Sequence, residues 1–223
     1  MLSKITFAFL KAVKENNNLD WMNKNRDLYH MERDNFLGFS KELIEKISKM
    51  DKSIGELQVK NATFRFNKDI RFSKDKSPYK TNFGVIIRED GKRGIGAGYY
   101  IHIEPGKSFI GGGIYLPPGP VLQRLRMYIA KNYKQLEKII ANPTFRKTFG
   151  CLIGEELKKI PRGFDSNHKA GKLLKMKSRF VKHDISNKVV LEKNFVEHCL
   201  SIAKIQKPLN DFLNKGVFYT PTK

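Results

Sequence analysis

The spacing of hydrophobic positions changes along the chain, from helical periodicity to strand alternation and back again. Residues 3–15 place apolar side chains three and four positions apart, and Ser3 precedes them as a helix-capping residue. A longer helix is predicted from Asp20 onwards. Its core-facing stripe comprises Phe36, Phe39, Leu43, Ile47 and Met50. The pattern therefore predicts two N-terminal helices that each bury one face.

The middle of the chain alternates apolar and polar residues between turn-forming segments, as β-strands do. The predicted strands are residues 63–66, 82–88, 96–103 and 108–116. Residues 89–92 and 105–107 contain the glycine and proline that favour tight turns. This order predicts an antiparallel meander of about four strands.

Helical spacing returns after the proline-rich segment 117–120. Helices are predicted around residues 122–133, 136–140, part of 144–158, and 192–214, where Pro208 is expected to divide the last one. Helices on both sides of one meander predict an α+β fold with helices packed against the sheet. We assign residues 1–219 to a single domain and residues 220–223 to a frayed tail.

Composition excludes several classes of protein. A chain of 223 residues buries a sizeable core without metals or disulfides, and Cys151 and Cys199 lie far apart without metal-ligand spacing. No segment approaches the roughly 20 apolar residues of a membrane span. We therefore expect two free thiols and a cytoplasmic protein without membrane insertion. No nucleotide-binding, dinucleotide or metal motif is present, so we expect neither a cofactor nor a metal site.

The charge balance changes the picture of the surface. Lys and Arg number 43 against 22 Asp and Glu, a formal net charge of +21. Such a surface attracts polyanions, including nucleic acid and phosphorylated ligands, or it serves solubility alone. Residues 60–80 concentrate this excess. Their basic side chains are Lys60, Arg65, Lys68, Arg71, Lys74, Lys76 and Lys80.

We predict that Phe64, Phe66, Ile70 and Phe72 anchor this basic segment against the core. Its cations would then form an anion site, because Arg forks onto phosphate oxygens and Lys adds point charge. The predicted anion-binding residues here are Arg65, Arg71, Lys74, Lys76 and Lys80. The alternative is a surface loop neutralised by its own pairs, Asp69 with Arg71 and Asp75 with Lys76.

Three further features could carry chemistry. Residues 158–182 hold nine cations, among them Arg162 as an anion ligand, and His168 as an acid–base group or a surface histidine. His102 is either a proton-transfer group, in a pocket with Tyr100, Arg65 and Arg71, or a hydrogen-bonded core histidine. Gly111, Gly112 and Gly113 admit a close ligand or backbone, or form a bulge. The catalytic candidates are Asp69, His102 and His168.

The chain resembles a known family at these segments. Phe64-Arg65-Phe66, Asp69 and residues 71–81 are similar to the signature of the bacterial and fungal domain-of-unknown-function family 2461. Further similarity covers Trp21, residues 98–102, Gly111 to Gly113 with Pro117, Leu157-Lys158, residues 161–164, and His168. Lys169 departs from the proline that the family often has there. The resemblance spans roughly residues 4 to 215 and implies a fold and a site location, but no reaction.

Three functions remain open from the sequence. The first is a binding module for a phosphate-bearing ligand or nucleic acid, built on residues 65–80 and 158–182. The second is an enzyme acting on a phosphorylated or carboxylated small molecule. The third is a structural protein whose motif is paired internally and pins the sheet to the helices. No oligomeric state is assigned.

Overall fold

The computed structural model describes residues 2–220, so most of the tail predicted at residues 220–223 lies outside the described residues. The α-helices of the described chain are α1 Lys4–Glu15, α2 Leu19–Lys24, α3 Arg26–Met50, α4 Val59–Ala62, α5 Gly119–Ala141, α6 Pro143–Phe149, α7 Gly171–Lys175, α8 Asn187–Val190 and α9 Phe195–Val217. Short 3-10 helices lie at Lys52–Ile54 and Gly91–Arg93. No helix in this range has both the length and the apolar composition needed to cross a bilayer.

Four strands form one antiparallel sheet in the order β1-β2-β3-β4. They are β1 Phe83–Ile87, β2 Gly98–Ile103, β3 Phe109–Ile114 and β4 Arg179–Asp184. Along β2, buried Tyr99, Ile101 and Ile103 alternate with half-buried residues, as the pleat requires. The predicted α+β class and the meander of about four strands are confirmed.

The strand predicted at residues 63–66 is wrong, and β4 takes its place in the sheet. Thr63 ends α4 and makes only an isolated bridge to Val85. The ladder stops there because the following backbone turns to residues 78–80 instead. The Lys68 N–H donates to Pro78 O at 2.8 Å, and the Lys80 N–H donates to Phe66 O at 2.9 Å.

The predicted helices are present with shifted boundaries. Ser3 caps α1 as expected, because its hydroxyl accepts from the Ile5 and Thr6 N–H groups. The second predicted helix is two helices, with Asn18 as the first cap and a break at Asn25. The helices predicted at 122–133 and 136–140 form the single helix α5, kinked at Asn132. Contrary to expectation, α9 continues through Pro208.

The chain divides into two compact units. Unit 1 contains the residues up to Lys92 together with Tyr100–Ile110 and Asp184–Leu200. Unit 2 contains Arg93–Tyr99, Gly111–His183 and the residues from Ser201 onwards. The single domain assigned to residues 1–219 stays a prediction beside this division.

Aromatic rings dominate the core of unit 1. Phe66 lies at the centre of this cluster, between helix α1 and strand β1. Its ring centroid is 5.3 Å from those of Tyr29 and Phe83, and 5.8 Å from that of Phe9. Tyr79 stacks on it from the far side of the basic loop, at 6.0 Å. Residues 66–79 are therefore a loop whose two ends are fixed in the core.

The three glycines of β3 lie in unit 2 against other backbone. A Cβ at Gly111 would overlap the Val181 carbonyl oxygen of β4, and one at Gly113 would overlap that of Arg179. Gly113 also has φ +108°, which L side chains rarely adopt. The glycines of β3 therefore admit a neighbouring strand, one of the predicted alternatives, rather than a ligand.

Candidate functional site

A pocket of about 490 Å³ lies in unit 1. Helix α3 supplies Arg33, Leu37 and Lys41, which follow one another at intervals of four residues and therefore share one helix face. The remaining lining residues are Gly38, Val59, Lys60, Thr63, Phe64, Arg65 and Lys92. Leu37, Val59 and Phe64 give the pocket an apolar wall.

Five cations line this pocket, and no Asp or Glu is among its described lining residues. Within residues 2–220, Arg33, Lys41, Lys60 and Lys92 make no ion pair. Arg65 approaches Asp69 only at 3.9 Å. Because the protein does not neutralise these charges itself, the pocket has a positive potential that favours an anion.

Hydrogen bonds hold Lys92 in the pocket wall. Its ammonium group donates to the carbonyl oxygens of Lys60 at 2.9 Å and Thr63 at 2.6 Å, at the end of α4. Arg88 stabilises the turn that carries Lys92, because its Nε donates to Gly91 O at 2.8 Å. An ammonium group has three N–H donors, so one remains for a ligand.

Lys80 adds a sixth cation next to Arg65 and Lys92. Its Nζ lies 5.4 Å from the centroid of the Phe64 ring, a cation–π contact. Partial burial lowers the pKa of Lys80, and the positive charges of Arg65 and Lys92 lower it further. These neighbours show that Lys80 belongs to the cationic cluster, which we define as Lys80 and the five cations of the pocket.

The other predicted anion ligands of the loop are placed differently. Arg71 folds back on Asp69, with Nε to Oδ1 at 2.9 Å and Nη2 to Oδ2 at 2.7 Å. These bonds hold the pKa of Asp69 below its usual range, which makes its carboxylate a weak base. Lys76 donates to Ile70 O at 3.1 Å. Lys74 is exposed, and the pocket includes neither it nor Arg71.

Internal pairing of the loop thus occurs, although with one different partner. Asp69 pairs with Arg71 as the alternative predicted, but Asp75 pairs with Lys68, at 2.7 Å, instead of Lys76. Lys68 also donates to Ser77 Oγ at 2.6 Å. Both carboxylates of the loop are therefore taken up by Arg71 and Lys68, and none of them lies among the lining residues of the pocket.

Phe66 is an anchor of the basic segment as predicted, but Phe72 is not. Phe72 is 96% exposed, whereas Phe66 is 4% exposed. The second anchor is Tyr79, which is buried and fixed by the Asn17 side chain. Asn17 Oδ1 accepts from the Tyr79 N–H, and Asn17 Nδ2 donates to the Tyr79 carbonyl, both at 2.9 Å. The alternation of apolar and polar residues did not predict Tyr79 as an anchor, because the backbone of the loop is no longer extended like a strand after Asn67.

A second polar cluster lies on the half-buried face of β2, where Tyr100, His102 and Glu104 alternate with core residues. His102 Nε2 lies 3.0 Å from Glu104 Oε2. His102 Nδ1 lies 3.3 Å from both the Tyr100 hydroxyl and Asn82 Nδ2. The Phe109 ring stacks on the imidazole at 4.9 Å.

These contacts determine which ring nitrogen of His102 carries the proton. The Asn82 amide nitrogen is only a donor, so Nδ1 accepts and Nε2–H donates to Glu104. Burial raises the pKa of Tyr100 to about 12, with the Glu104 charge adding to the effect, so its hydroxyl stays protonated. The Tyr100 hydroxyl is therefore a donor to Nδ1, and the imidazole of His102 connects it to the Glu104 carboxylate. Tyr100 also meets Phe64 of the pocket wall edge-on, at 6.0 Å.

Arg162 and His168 belong to unit 2. Arg162 is exposed on the turn before Gly163. His168 Nδ1 accepts from the Ala170 N–H at 3.0 Å, and its ring meets Tyr133 edge-on. The hydrogen bond of His168 thus stabilises the turn in which it lies. Cys151 and Cys199 are free thiols, and residues 2–220 contain no group of His, Cys, Asp and Glu arranged to hold a metal ion.

Sequence reasoning missed Arg33, Lys41 and Lys92. In the sequence, nothing distinguishes Arg33 and Lys41 from the charges of a solvated helix face, and Lys92 lies in the predicted turn at residues 89–92. One signal was available, since Arg33, Leu37 and Lys41 repeat every four residues without an intervening acid on that face. That pattern marks a cationic stripe but does not show what packs beside it.

Comparison with known proteins agrees with the motifs. A search of the curated proteins found no match, and a search of the solved structures found none either. The family model described as "Conserved hypothetical protein (DUF2461)" matches residues 5–212, which is most of the chain and includes the cationic cluster and the β2 polar cluster. The chain therefore belongs to the DUF2461 family.

Proposed function

We propose that this protein binds a phosphate-bearing small molecule in the pocket of unit 1. The observation that carries the proposal is the set of five cations around one pocket, four of them without an ion pair in residues 2–220. Arg33 and Arg65 supply forked donors for phosphate oxygens, and the lysines supply point charge. A volume of about 490 Å³ falls in the range of small-molecule sites.

The apolar wall supports a ligand that has more than a phosphate group. Leu37, Val59 and Phe64 lie beside the cations, and a purely inorganic ion would leave them unused. Phe64 is 43% exposed, so it offers a face to an organic ring or chain. A phosphomonoester or diphosphate with an apolar or aromatic substituent matches both parts of the pocket.

Calorimetric titration tests this proposal. Inorganic pyrophosphate and a nucleoside monophosphate would each be titrated into the protein in 50 and 200 mM NaCl. We expect one saturable site, with affinity about three- to tenfold weaker at the higher salt, because exposed charges are screened over about 10 Å. A Lys74→Gln variant, which loses one charge outside the pocket, should bind like wild type. Saturation that ignores salt, or no saturation at all, would contradict the proposal.

Lys80 should make this binding depend on pH. Its pKa in the free protein lies below the ordinary 10.5, and a bound anion favours the ammonium form and raises that pKa. Binding therefore takes up a proton, and affinity falls as pH rises through the free-state pKa. We expect the affinity for the nucleoside monophosphate, whose phosphate is already fully ionised above pH 7, to decline as the pH rises towards 10. Lys80→Arg should flatten the decline, because guanidinium keeps its charge; an unchanged decline in that variant excludes Lys80.

The β2 polar cluster favours a second candidate, an enzyme that acts on the phosphorylated ligand. His102, held between Glu104 and Tyr100, is the proton-transfer group of that candidate. A panel of phosphoesters would be assayed with wild type and with His102→Asn. We expect the variant to lose at least about a hundredfold in turnover while its pyrophosphate affinity stays unchanged. Asp69→Asn serves as the control and should keep full turnover, because Asp69 is engaged by Arg71.

A further inference from the structure

Unit 2 contains two buried arginines that pair with no carboxylate of the described residues. Arg179 begins β4 and is 0% exposed, and Arg126 of α5 is 7% exposed. Burial lowers the pKa of Arg179 to about 9, and the charge of Arg126 contributes. Both side chains therefore remain cationic at neutral pH, and they lie close enough to repel each other.

Among residues 2–220, the hydrogen-bond acceptors of these two guanidinium groups are backbone carbonyls of one short segment. Arg179 Nη2 donates to Leu173 O at 2.6 Å. Arg126 Nε donates to Leu174 O at 2.8 Å, and its Nη2 to Met176 O at 3.4 Å. No carboxylate in residues 2–220 forms an ion pair with either arginine. The carbonyl dipoles of residues 173–176 thus offset part of the positive charge of the two arginines. No anionic group of the described chain balances the rest.

Arg179 also has donors left over. Its Nε and Nη1 are buried and have no acceptor among the described residues. Nε carries one N–H and Nη1 carries two, so three donors of a fully buried cation face no protein acceptor. Leaving a buried charged donor unmatched costs more than leaving a neutral one, and buried charges are ordinarily paired. This combination indicates a missing partner of negative charge.

We propose that Arg179 and Arg126 bind a small monovalent anion, such as chloride, inside unit 2. A monovalent ion suits the site better than phosphate, because the carbonyls of residues 173–176 already offset part of the charge and because dehydrating phosphate costs more. The bound ion would connect β4, α5 and the end of α7. This site is separate from the pocket of unit 1, so each can fail without the other.

Bromide provides a direct test. Crystals of the wild-type protein soaked in NaBr would be measured at the bromine absorption edge. We expect an anomalous peak within hydrogen-bond distance of Arg179 Nε or Nη1. A water molecule there, or no density at all, in place of bromide would overturn the proposal.

Thermal unfolding at constant ionic strength tests the same site in solution. Replacing gluconate, which is too bulky for a buried site, by 200 mM chloride should raise the Tm of the wild type by about 3 to 5 °C. Arg179→Met should abolish this rise, whereas Arg65→Gln, which alters the pocket of unit 1, should keep it. An equal rise in Arg179→Met would refute the site. If Arg179→Met does not fold, the bromide density decides.

Discussion

Replacing Phe66 by alanine is expected to lower the free energy of unfolding by about 3 to 5 kcal/mol. Phe66 is 4% exposed, and its ring contacts Tyr29, Tyr79 and Phe83, with centroid distances of 5.3 to 6.0 Å. Removing it leaves a cavity among rigid rings that cannot collapse into the space. The lost tilted and stacked ring contacts add to the free energy lost with the burial.

Denaturant unfolding of three variants measures this effect. Phe72→Ala is the matched control, since it removes the same side chain from the same loop at a position that is 96% exposed. Its expected change is below about 0.5 kcal/mol. Arg71→Ala loses an exposed pair with Asp69 and a contact with the exposed Phe72 ring, so it should unfold much as the wild type does. A Phe72→Ala or Arg71→Ala variant as unstable as Phe66→Ala would reverse this account.

The structural role of the motif lies with its buried aromatic residues. The sequence suggested that internal ion pairs of the motif carry this role, but the contacts place it on Phe66 and Tyr79, which fix both ends of the loop. Arg65 and Lys80 flank these two anchors in sequence. The same aromatic contacts that stabilise unit 1 therefore position two members of the cationic cluster.

Helical periodicity and turn residues were enough to predict the α+β class, because α3 and β2 each bury one face with a regular period. Strand β4 was not predicted because its buried positions are Arg179 and Val181. A buried arginine breaks the alternation of apolar and polar residues that indicates a strand. The strand predicted at 63–66 failed for a non-local reason. Its alternation is real, but residues 78–80 satisfy the backbone of residues 66–68.

The candidate site was predictable to the extent that it is local. Arg65 and Lys80 lie in the basic segment, and their charge excess was visible there. Arg33 and Lys41 come from a helix more than twenty residues earlier, and only tertiary packing brings them to the same pocket. Sequence also could not decide which arginine faces an acid, since Arg65 and Arg71 both lie within four residues of Asp69. Geometry separates them, with Arg71 at 2.7 Å and Arg65 at 3.9 Å.

The double variant Arg33→Gln/Arg65→Gln is expected to weaken pyrophosphate binding by about 30- to 100-fold. Hydrogen bonds from charged groups contribute roughly 1.5 to 3 kcal/mol each, and solvent screening at these two exposed arginines reduces that to about 1 to 1.5 kcal/mol each. Losing both guanidinium groups thus removes about 2 to 3 kcal/mol of binding free energy, and each 1.4 kcal/mol is a tenfold change in affinity. Neither arginine belongs to the core, so the variant should unfold like wild type.

The control for this variant must separate the pocket from the overall charge of +21. Lys74→Gln/Lys76→Gln removes the same two charges from the tip of the neighbouring loop, where neither side chain lines the pocket. If binding depended on net charge alone, both double variants would lose affinity equally, and the pocket would have no special role. If the pocket holds the phosphate, the loop variant should stay within about twofold of wild type, because neither lysine contacts the ligand and salt screens exposed charges. The ratio between the two variants therefore measures how much of the affinity comes from the arrangement of the cations rather than from their number.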